Sequence, residues 1–452
     1  MKIVIIGAGI SGLSLAYFLL EKNPSLDLTV IESEKKAGGK IWTDKTNGFL
    51  CEGGVNGFLD NRPKTLELSK KLGLAPLRSN DNSRKRFIFS DGKLKMLPES
   101  PLSFFKSDLL SVYGRLRIVG ELFVPKGTGK DETLADFAKR RLGKEAYEKL
   151  IDPMASGIFA GDPEKMSLKS CFPKVYNLEQ NYGSLIRGMI KLQKEAKKTG
   201  KKVGAGPGGV LTSFQDGMET IINSLTNFLG SRLCTGSQAV SIDKNKDIYT
   251  ILLSDGSKIE SKIVISAIPA FALAELTNNL DKSLSLLLRD IYYPSISVVC
   301  LGYRREKIIH PLDGFGFLIP YREGRKILGT LWDSSVFPNR APEGKVLLRT
   351  MLGGARMSEL AEQDEEKQIN IVVDELRKIM GINSEPDFAK VYIHRKGIPQ
   401  YFINHDLKLK KIDDILNNYK GFYITGNAFR GIGVNDCIEN SSNLAERIIK
   451  DI

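Results

Sequence analysis

The first 32 residues constrain the fold most. Residues 3–20 carry no charged side chain, as an export signal or a membrane-spanning helix would require. Gly7, Gly9 and Gly12 argue against both, because a spanning helix gains nothing from glycines near its start. No small-residue cleavage pattern follows them either. The spacing instead predicts a strand over Lys2–Ile6, a tight turn, a helix over about Ser11–Glu21 and a second strand over Leu28–Glu32. Gly7-Ala8-Gly9-Ile10-Ser11-Gly12 then forms a turn that can be followed closely by backbone and ligand. Its second glycine admits a pyrophosphate to the backbone, and its third lets helix and strand pack tightly. Glu32 lies 20 residues after Gly12, where a carboxylate can accept hydrogen bonds from ribose hydroxyls. This is a dinucleotide-binding fingerprint of the βαβ kind.

Two further glycine turns favour FAD over a nicotinamide cofactor. Ala37-Gly38-Gly39-Lys40 follows the acidic strand, and Glu52-Gly53-Gly54-Val55-Asn56-Gly57 comes soon after. A long, buried flavin needs close backbone approach at several points; read alone, each could be an ordinary turn. The chain also closes as it opens, with a strand over Gly421–Thr425, a glycine turn through Gly426, Asn427, Gly431, Ile432 and Gly433, and a helix over Asn435–Lys450. A nucleotide domain assembled from both termini and a middle piece is therefore expected.

Between these pieces the chain divides. Residues 64–74 predict a helix ended by Gly73, and Phe87–Leu97 a hairpin turning at Ser90-Asp91-Gly92. Residues 131–200 are mostly helical in pattern, and Thr199–Gly209, with five glycines, reads as a junction. A helix over Gly217–Leu229 and strands over Ala239–Ile242, Tyr249–Leu253 and Lys262–Ser266 follow. Further strands are predicted over 296–303, 315–319, 326–332 and 345–351, with a helix over 365–380.

At 452 residues, 42% hydrophobic and 26% charged, the chain is an ordinary globular protein of several structural units, and disordered or fibrous classes are excluded. Five scattered cysteines without a C-x-x-C pair, and three separate histidines, form neither a disulfide framework nor a metal site. The net charge of +13 raises nucleic acid as a partner. Its distribution points elsewhere: residues 83–130 hold ten Lys/Arg against four Asp/Glu, and residues 187–202 seven against one. Twelve of the thirteen excess charges thus fall in two windows, without the interleaved aromatics that stack on bases. A basic membrane- or nucleic-acid-binding protein with a vestigial nucleotide fold is the alternative from another class.

Several strings, in order along the whole chain, resemble the oxygen-dependent protoporphyrinogen oxidase family within the FAD-dependent amine oxidase and desaturase superfamily. They are Asp152-Pro153, Ser156-Gly157-Ile158-Phe159-Ala160-Gly161-Asp162-Pro163, Gly183-Ser184-Leu185, Gly314 to Pro320, Asp333-Ser334 with Phe337-Pro338, Met351 to Gly354, Ile398 to Tyr401 and Gly433 to Ile438. The resemblance implies an α/β fold: a discontinuous Rossmann-like FAD domain (1–82, 208–270 and 399–452), a sheet-rich substrate domain (271–398) and a mostly helical, membrane-docking insertion (83–207). Both basic windows fall in that insertion, next to the apolar stretches 101–105 and 109–113, a composition suited to anionic lipid. A helix facing the core with a solvated back has the same composition.

The implied reaction takes six electrons from a porphyrinogen in three steps, with hydride passing from a meso carbon to non-covalent FAD and then electrons to O2, giving H2O2. The coproporphyrinogen III oxidase branch remains open beside the protoporphyrinogen IX branch; the strings argue against an amine or carotenoid substrate. Carried over residue by residue, the resemblance makes Arg86 a propionate-binding arginine, with Arg84 beside it leaving the register open. It makes Gly157 a glycine whose carbonyl lies near the reacting carbon, and Leu318 and Met351 the residues that sandwich the macrocycle. A loop glycine and plain core residues are the simpler readings of those three. Cofactor contacts are implied for Gly7, Gly9, Ile10, Ser11, Gly12, Glu32, Ser33, Gly39, Lys40, Gly54, Val55, Asn56, Gly57, Val240, Gly426, Gly431, Ile432 and Gly433. Lys40 stands where many superfamily members have arginine, and Asn427 where many have aspartate. A peripheral position on the cytoplasmic membrane face, and a homodimer as one arrangement, are also implied.

Overall fold

Lys2–Ile6 is a strand, Ile10–Lys22 a helix and Asp27–Ile31 the next strand, as the fingerprint requires. The computed structural model describes residues 2–98, 100–198 and 209–452. Lys2–Ile6 sits at the centre of a parallel sheet, in the order Leu233–Cys234, Asp27–Ile31, Lys2–Ile6, Ile263–Ser266, Phe422–Ile424. Strands buried on both faces read as unbroken apolar runs, as Ile3 to Ile6 and Ile263 to Ile265 do. The closing helix, Val434–Asp451, packs on the opening one, and Ser441 Oγ donates to the Ser11 carbonyl at 2.8 Å. The nucleotide domain is thus built from both termini and a middle piece.

Among the described residues, the second sheet is mixed and seven-stranded, ordered Phe388–His394, Ile296–Arg304, Lys345–Gly353, Ile327–Leu331, Gly316–Leu318, Arg86–Ser90, Lys93–Met96. Its two faces separate cleanly by period-two alternation. Val299, Leu301, Leu348 and Phe317 pack under the helix Glu365–Met380. That helix starts where the Asp364 carboxylate accepts from the Lys367 N–H at 2.9 Å and stops at Gly381, φ +69°, an N-cap and a left-handed C-terminal glycine. Val298, Cys300 and Leu347, on the other face, meet Phe49 and Cys51 of the nucleotide domain.

One expected boundary is corrected here. Residues 86–96 do not begin the helical insertion; they form a hairpin on the edge of the seven-stranded sheet, Arg86–Ser90 running parallel to Gly316–Leu318. Its alternating pattern lets it extend an apolar sheet, with Phe89 on the buried side. The helical part, from Pro101 to Lys198, is tied at its centre by Arg141. This buried guanidinium donates to Glu121 at 3.0 Å and to Glu179 at 2.7 Å, joining three elements. The expected strand over Gly421–Thr425 shortens to Phe422–Ile424, and the strand Phe388–His394 and helix His405–Leu416 were not anticipated. The glycine-rich junction Thr199–Gly209, except for its last residue, and the end of the second basic window lie outside the described residues.

Candidate active site and cofactor crevice

The C-terminal ends of the parallel strands converge on one crevice, the place where such sheets bind ligands. The Gly7 N–H donates to the Ile31 carbonyl and the Ala267 N–H to the Ile6 carbonyl, both at 2.8 Å. Gly38 bridges to Gly9, its N–H donating to the Ala8 carbonyl at 2.9 Å, and Gly39 (φ +61°) comes against the Gly9 backbone. The first two glycine turns therefore form one concave surface. Gly12 is demanded by packing, since a Cβ there would lie 1.9 Å from the Gly7 carbonyl oxygen. At Gly9 a Cβ would meet nothing within 4 Å. The protein itself has no need of a glycine there, so the space fits a ligand. Gly9 is also the cap of the helix Ile10–Lys22, with no side chain accepting from its first N–H groups, which leaves them for an anion. Buried Ser11 and half-buried Ile10 open that helix.

Glu32 is held ready beside this cradle. Its carboxylate accepts from the Ala8 N–H at 2.7 Å, the Glu34 N–H at 3.0 Å and the Ser33 hydroxyl at 3.1 Å. The Ser237 N–H donates to the Glu32 carbonyl at 2.7 Å, and Val240 follows at the bulge between Ala239 and Ser241, 39% exposed. On the C-terminal side, a Cβ on Gly426 (φ +124°) would come no nearer than 3.9 Å to Ala267. Gly433 caps the closing helix with no side-chain partner of its own beyond Asp436, which accepts from its N–H at 3.3 Å. Tyr401 braces this turn: its hydroxyl accepts from the Gly431 N–H at 3.0 Å and donates to the Asn427 carbonyl at 2.5 Å. Ile432 packs against the Phe159 cluster of the helical part. An open cradle, two helix N-termini and a prepared carboxylate fit a dinucleotide.

The third glycine turn behaves differently. A Cβ on Gly53 would lie 2.7 Å from Tyr392, on Gly54 2.1 Å from the Lys40 carbonyl oxygen, and on Gly57 2.6 Å from the Thr212 carbonyl oxygen. Gly53 lets the substrate sheet touch the nucleotide domain, while Gly54 and Gly57 let segments within the nucleotide domain cross. Val55 packs on the nucleotide core. The Asn56 amide donates to Asp333 at 2.9 Å. Asp333 is fully buried, and burial raises its carboxyl despite Arg349 and Arg340 nearby. Beside it Glu52 is lifted to about 7 by burial, which Arg340 offsets only in part. Arg349 donates to the carbonyls of Glu52 (2.9 Å) and Gly54. Lys40 donates to the carbonyls of Lys396 and Gly397, and burial lowers its ammonium to about 8. Sequence reasoning missed this interdomain polar cluster, because Asp333, Arg340 and Arg349 are distant in the chain and none stands in a glycine turn.

The candidate substrate residues share one face of the seven-stranded sheet. In register, Ile88, Leu318, Gly329, Met351 and Val298 form a row across five strands, on the face turned to the nucleotide domain. Gly329 leaves the middle of that row without a side chain. Arg86 lies two pairs along, opposite Gly316, exposed and with its guanidinium 5.5 Å from the Phe315 ring centre. Arg84 pairs with Asp81 instead. Gly157 is in the last turn of the helix Asp152–Phe159, where carbonyls run out of intrahelical donors. A Cβ there would fall 2.6 Å from Leu318 Cδ2, so Gly157 is a close-packing glycine, not a loop one. The structure brings Gly157 against Leu318, with Met351 two strands away in register and Arg86 on the neighbouring strand.

A glycine cradle at the ends of a parallel sheet, joined to a second sheet whose one face packs on the nucleotide domain, defines the class of a flavoprotein. The family model for flavin containing amine oxidoreductase matches residues 10–449; the chain belongs to that family, and its cofactor is FAD. It is 34% identical to protoporphyrinogen oxidase 1, chloroplastic, of Arabidopsis thaliana, over 98% of this chain and 87% of that one. It is 31% identical to the coproporphyrinogen III oxidase of Bacillus subtilis (strain 168), over 97% and 95%. Among solved structures, a protein from Exiguobacterium sp. 255-15 superposes with a TM-score of 0.86 at 25% identity, covering 100% of this chain and 99% of that one.

Proposed function

We propose that this chain oxidises protoporphyrinogen IX to protoporphyrin IX, six electrons in three steps, with O2 as acceptor and H2O2 as product. The observation that carries the reading is the row Leu318–Gly329–Met351 under Gly157, on the sheet face that packs on the nucleotide domain. Bound FAD supplies the hydride acceptor and the route to O2. The chain's own part is binding and orientation. Gly329 keeps the floor flat; Leu318 rotates off Gly157 to admit a macrocycle, and Met351 holds its far side. The Gly157 carbonyl, at a helix end, offers an acceptor to the ring, and Arg86 takes a propionate at the rim. Enclosure by the two domains excludes water.

An apolar surface on the helical part supports delivery from a lipid surface. On the helix Val112–Val119 and the turn after it, Tyr113 is 78%, Leu116 63% and Phe123 83% exposed. No helix among the described residues is long and apolar enough to cross a membrane; the binding proposed is peripheral. Exposed patches of this kind mark interaction sites. Coproporphyrinogen III is the second reading, favoured by the near-complete coverage of the Bacillus subtilis relative.

The test presents each porphyrinogen separately to the FAD-loaded chain, prepared without air, then admits O2 and follows porphyrin fluorescence. Protoporphyrinogen IX should be preferred. Preference for coproporphyrinogen III selects the second reading, and turnover of neither removes both. Arg86→Ala should raise KM about tenfold with FAD content unchanged. Leu116→Glu with Phe123→Glu should abolish co-sedimentation with anionic vesicles and leave turnover of detergent-dispersed substrate intact.

A further inference from the structure

We propose that Arg356 is the positioning residue of this site: its guanidinium sets the gap between Gly157 and the Leu318–Met351 face, and thereby the affinity for a flat macrocycle. The inference rests on the substrate reading above. Arg356 follows the strand Lys345–Gly353 that carries Met351. Its Nη1 donates to Asp152, at the start of the helix bearing Gly157, and its Nε donates to Asp162, just beyond that helix's end, at 2.9 Å. The other Asp152 oxygen accepts from the Tyr321 N–H at 2.8 Å, in the turn that follows Leu318. The Arg356 guanidinium lies 4.5 Å from the Tyr321 ring centre. One side chain therefore links both ends of the Gly157 segment to the strands of Leu318 and Met351.

The surroundings show that the gap is fixed and not merely filled. Arg356, Asp152 and Asp162 are nearly enclosed, at 14, 5 and 13% side-chain exposure. The Ala355 N–H donates to the Ala160 carbonyl at 2.7 Å, and Ala160 itself is left-handed, φ +48°. A Cβ on Gly354 would lie 2.7 Å from that same carbonyl oxygen. A guanidinium is planar, permanently charged and forked, so it can serve two carboxylates at a set separation; a lysine can satisfy one. Removing Arg356 alone would leave two enclosed carboxylates without their cation, a large cost by itself. The informative variant is therefore the neutral triple D152N/D162N/R356Q, which removes the charges together.

Positioning and plain stabilisation predict different outcomes for it. The triple should fold and retain stoichiometric FAD, with the KM for porphyrinogen and the Kd for the porphyrin product both at least tenfold weaker, and kcat changed less than threefold. Amide hydrogen exchange at residues 156–161 should accelerate. Arg356→Lys, which can serve only one of the two carboxylates, should likewise weaken KM and Kd with FAD content unchanged. A triple variant that holds FAD with KM, Kd and exchange unchanged overturns the proposal. A wild-type chain that binds neither porphyrin overturns the substrate reading and this proposal with it; because the wild type itself fails, that result is told apart from a failure of the clamp.

Discussion

At Gly9 an added methyl group would meet no atom within 4 Å, whereas at Gly54 it would lie 2.1 Å from the Lys40 carbonyl oxygen. Both glycines sit in turns beside the same crevice. Gly54 exists because two protein segments cross there, and Gly9 exists although no protein atom faces its Cβ position. Gly12, Gly54 and Gly57 are required by packing, Gly426 by its left-handed backbone (φ +124°), and Gly9 by neither.

Alanine substitution breaks or sharpens this comparison, and the expected effects on stability fall in a clear order. Gly12→Ala places Cβ 1.9 Å from backbone at the central strand–helix crossing, and should yield no folded protein by circular dichroism and gel filtration. Gly54→Ala meets the Lys40 backbone in a neighbouring turn rather than in the central sheet, and should cost about 3 kcal/mol or more in denaturant melts. A smaller and pH-dependent effect is expected at Glu52, between these glycines and the substrate sheet. Its carboxyl titrates near 4.5 when exposed and about 7 when folded. Between those values the native chain keeps a proton that the unfolded chain has lost, so this group favours the fold below pH 4.5 and ceases to as pH rises through 7. Glu52→Gln should flatten that fall, a difference of about 3 kcal/mol at most, seen by comparing melts at pH 5 and pH 8; equal slopes in both proteins would remove Glu52 from the titration. Gly9→Ala should change apoprotein stability by less than about 0.5 kcal/mol, because its backbone is extended, φ −74°, and the space is open. FAD affinity should nevertheless fall at least tenfold.

The cradle was legible in the sequence because its parts are local: strand, turn, helix and the acid at Glu32 follow one another within a single unit. The parallel sheet, the closing helix and the return of the C-terminus follow from the same pattern. What the chain did not disclose depends on distant partners. Arg86–Ser90 was readable as a hairpin strand, but its pairing with Gly316–Leu318 joins segments more than 220 residues apart, which no local periodicity encodes. Asp333 lies in a short helical turn and acquires meaning only from Asn56, Arg340 and Arg349 around it. Arg356 is one arginine among many until folding sets it between Asp152 and Asp162. Formal charge along the chain does not show which cations are paired: Lys85, Lys95 and Arg84 pair with Asp313, Asp91 and Asp81.

The most direct test is an anaerobic titration of the FAD-loaded chain with protoporphyrinogen IX, watching the flavin's own absorbance. Loss of the oxidised flavin spectrum on mixing, with full recovery when O2 is admitted and porphyrin formed in proportion, is the predicted result. An oxidised spectrum that persists with both protoporphyrinogen IX and coproporphyrinogen III would contradict it.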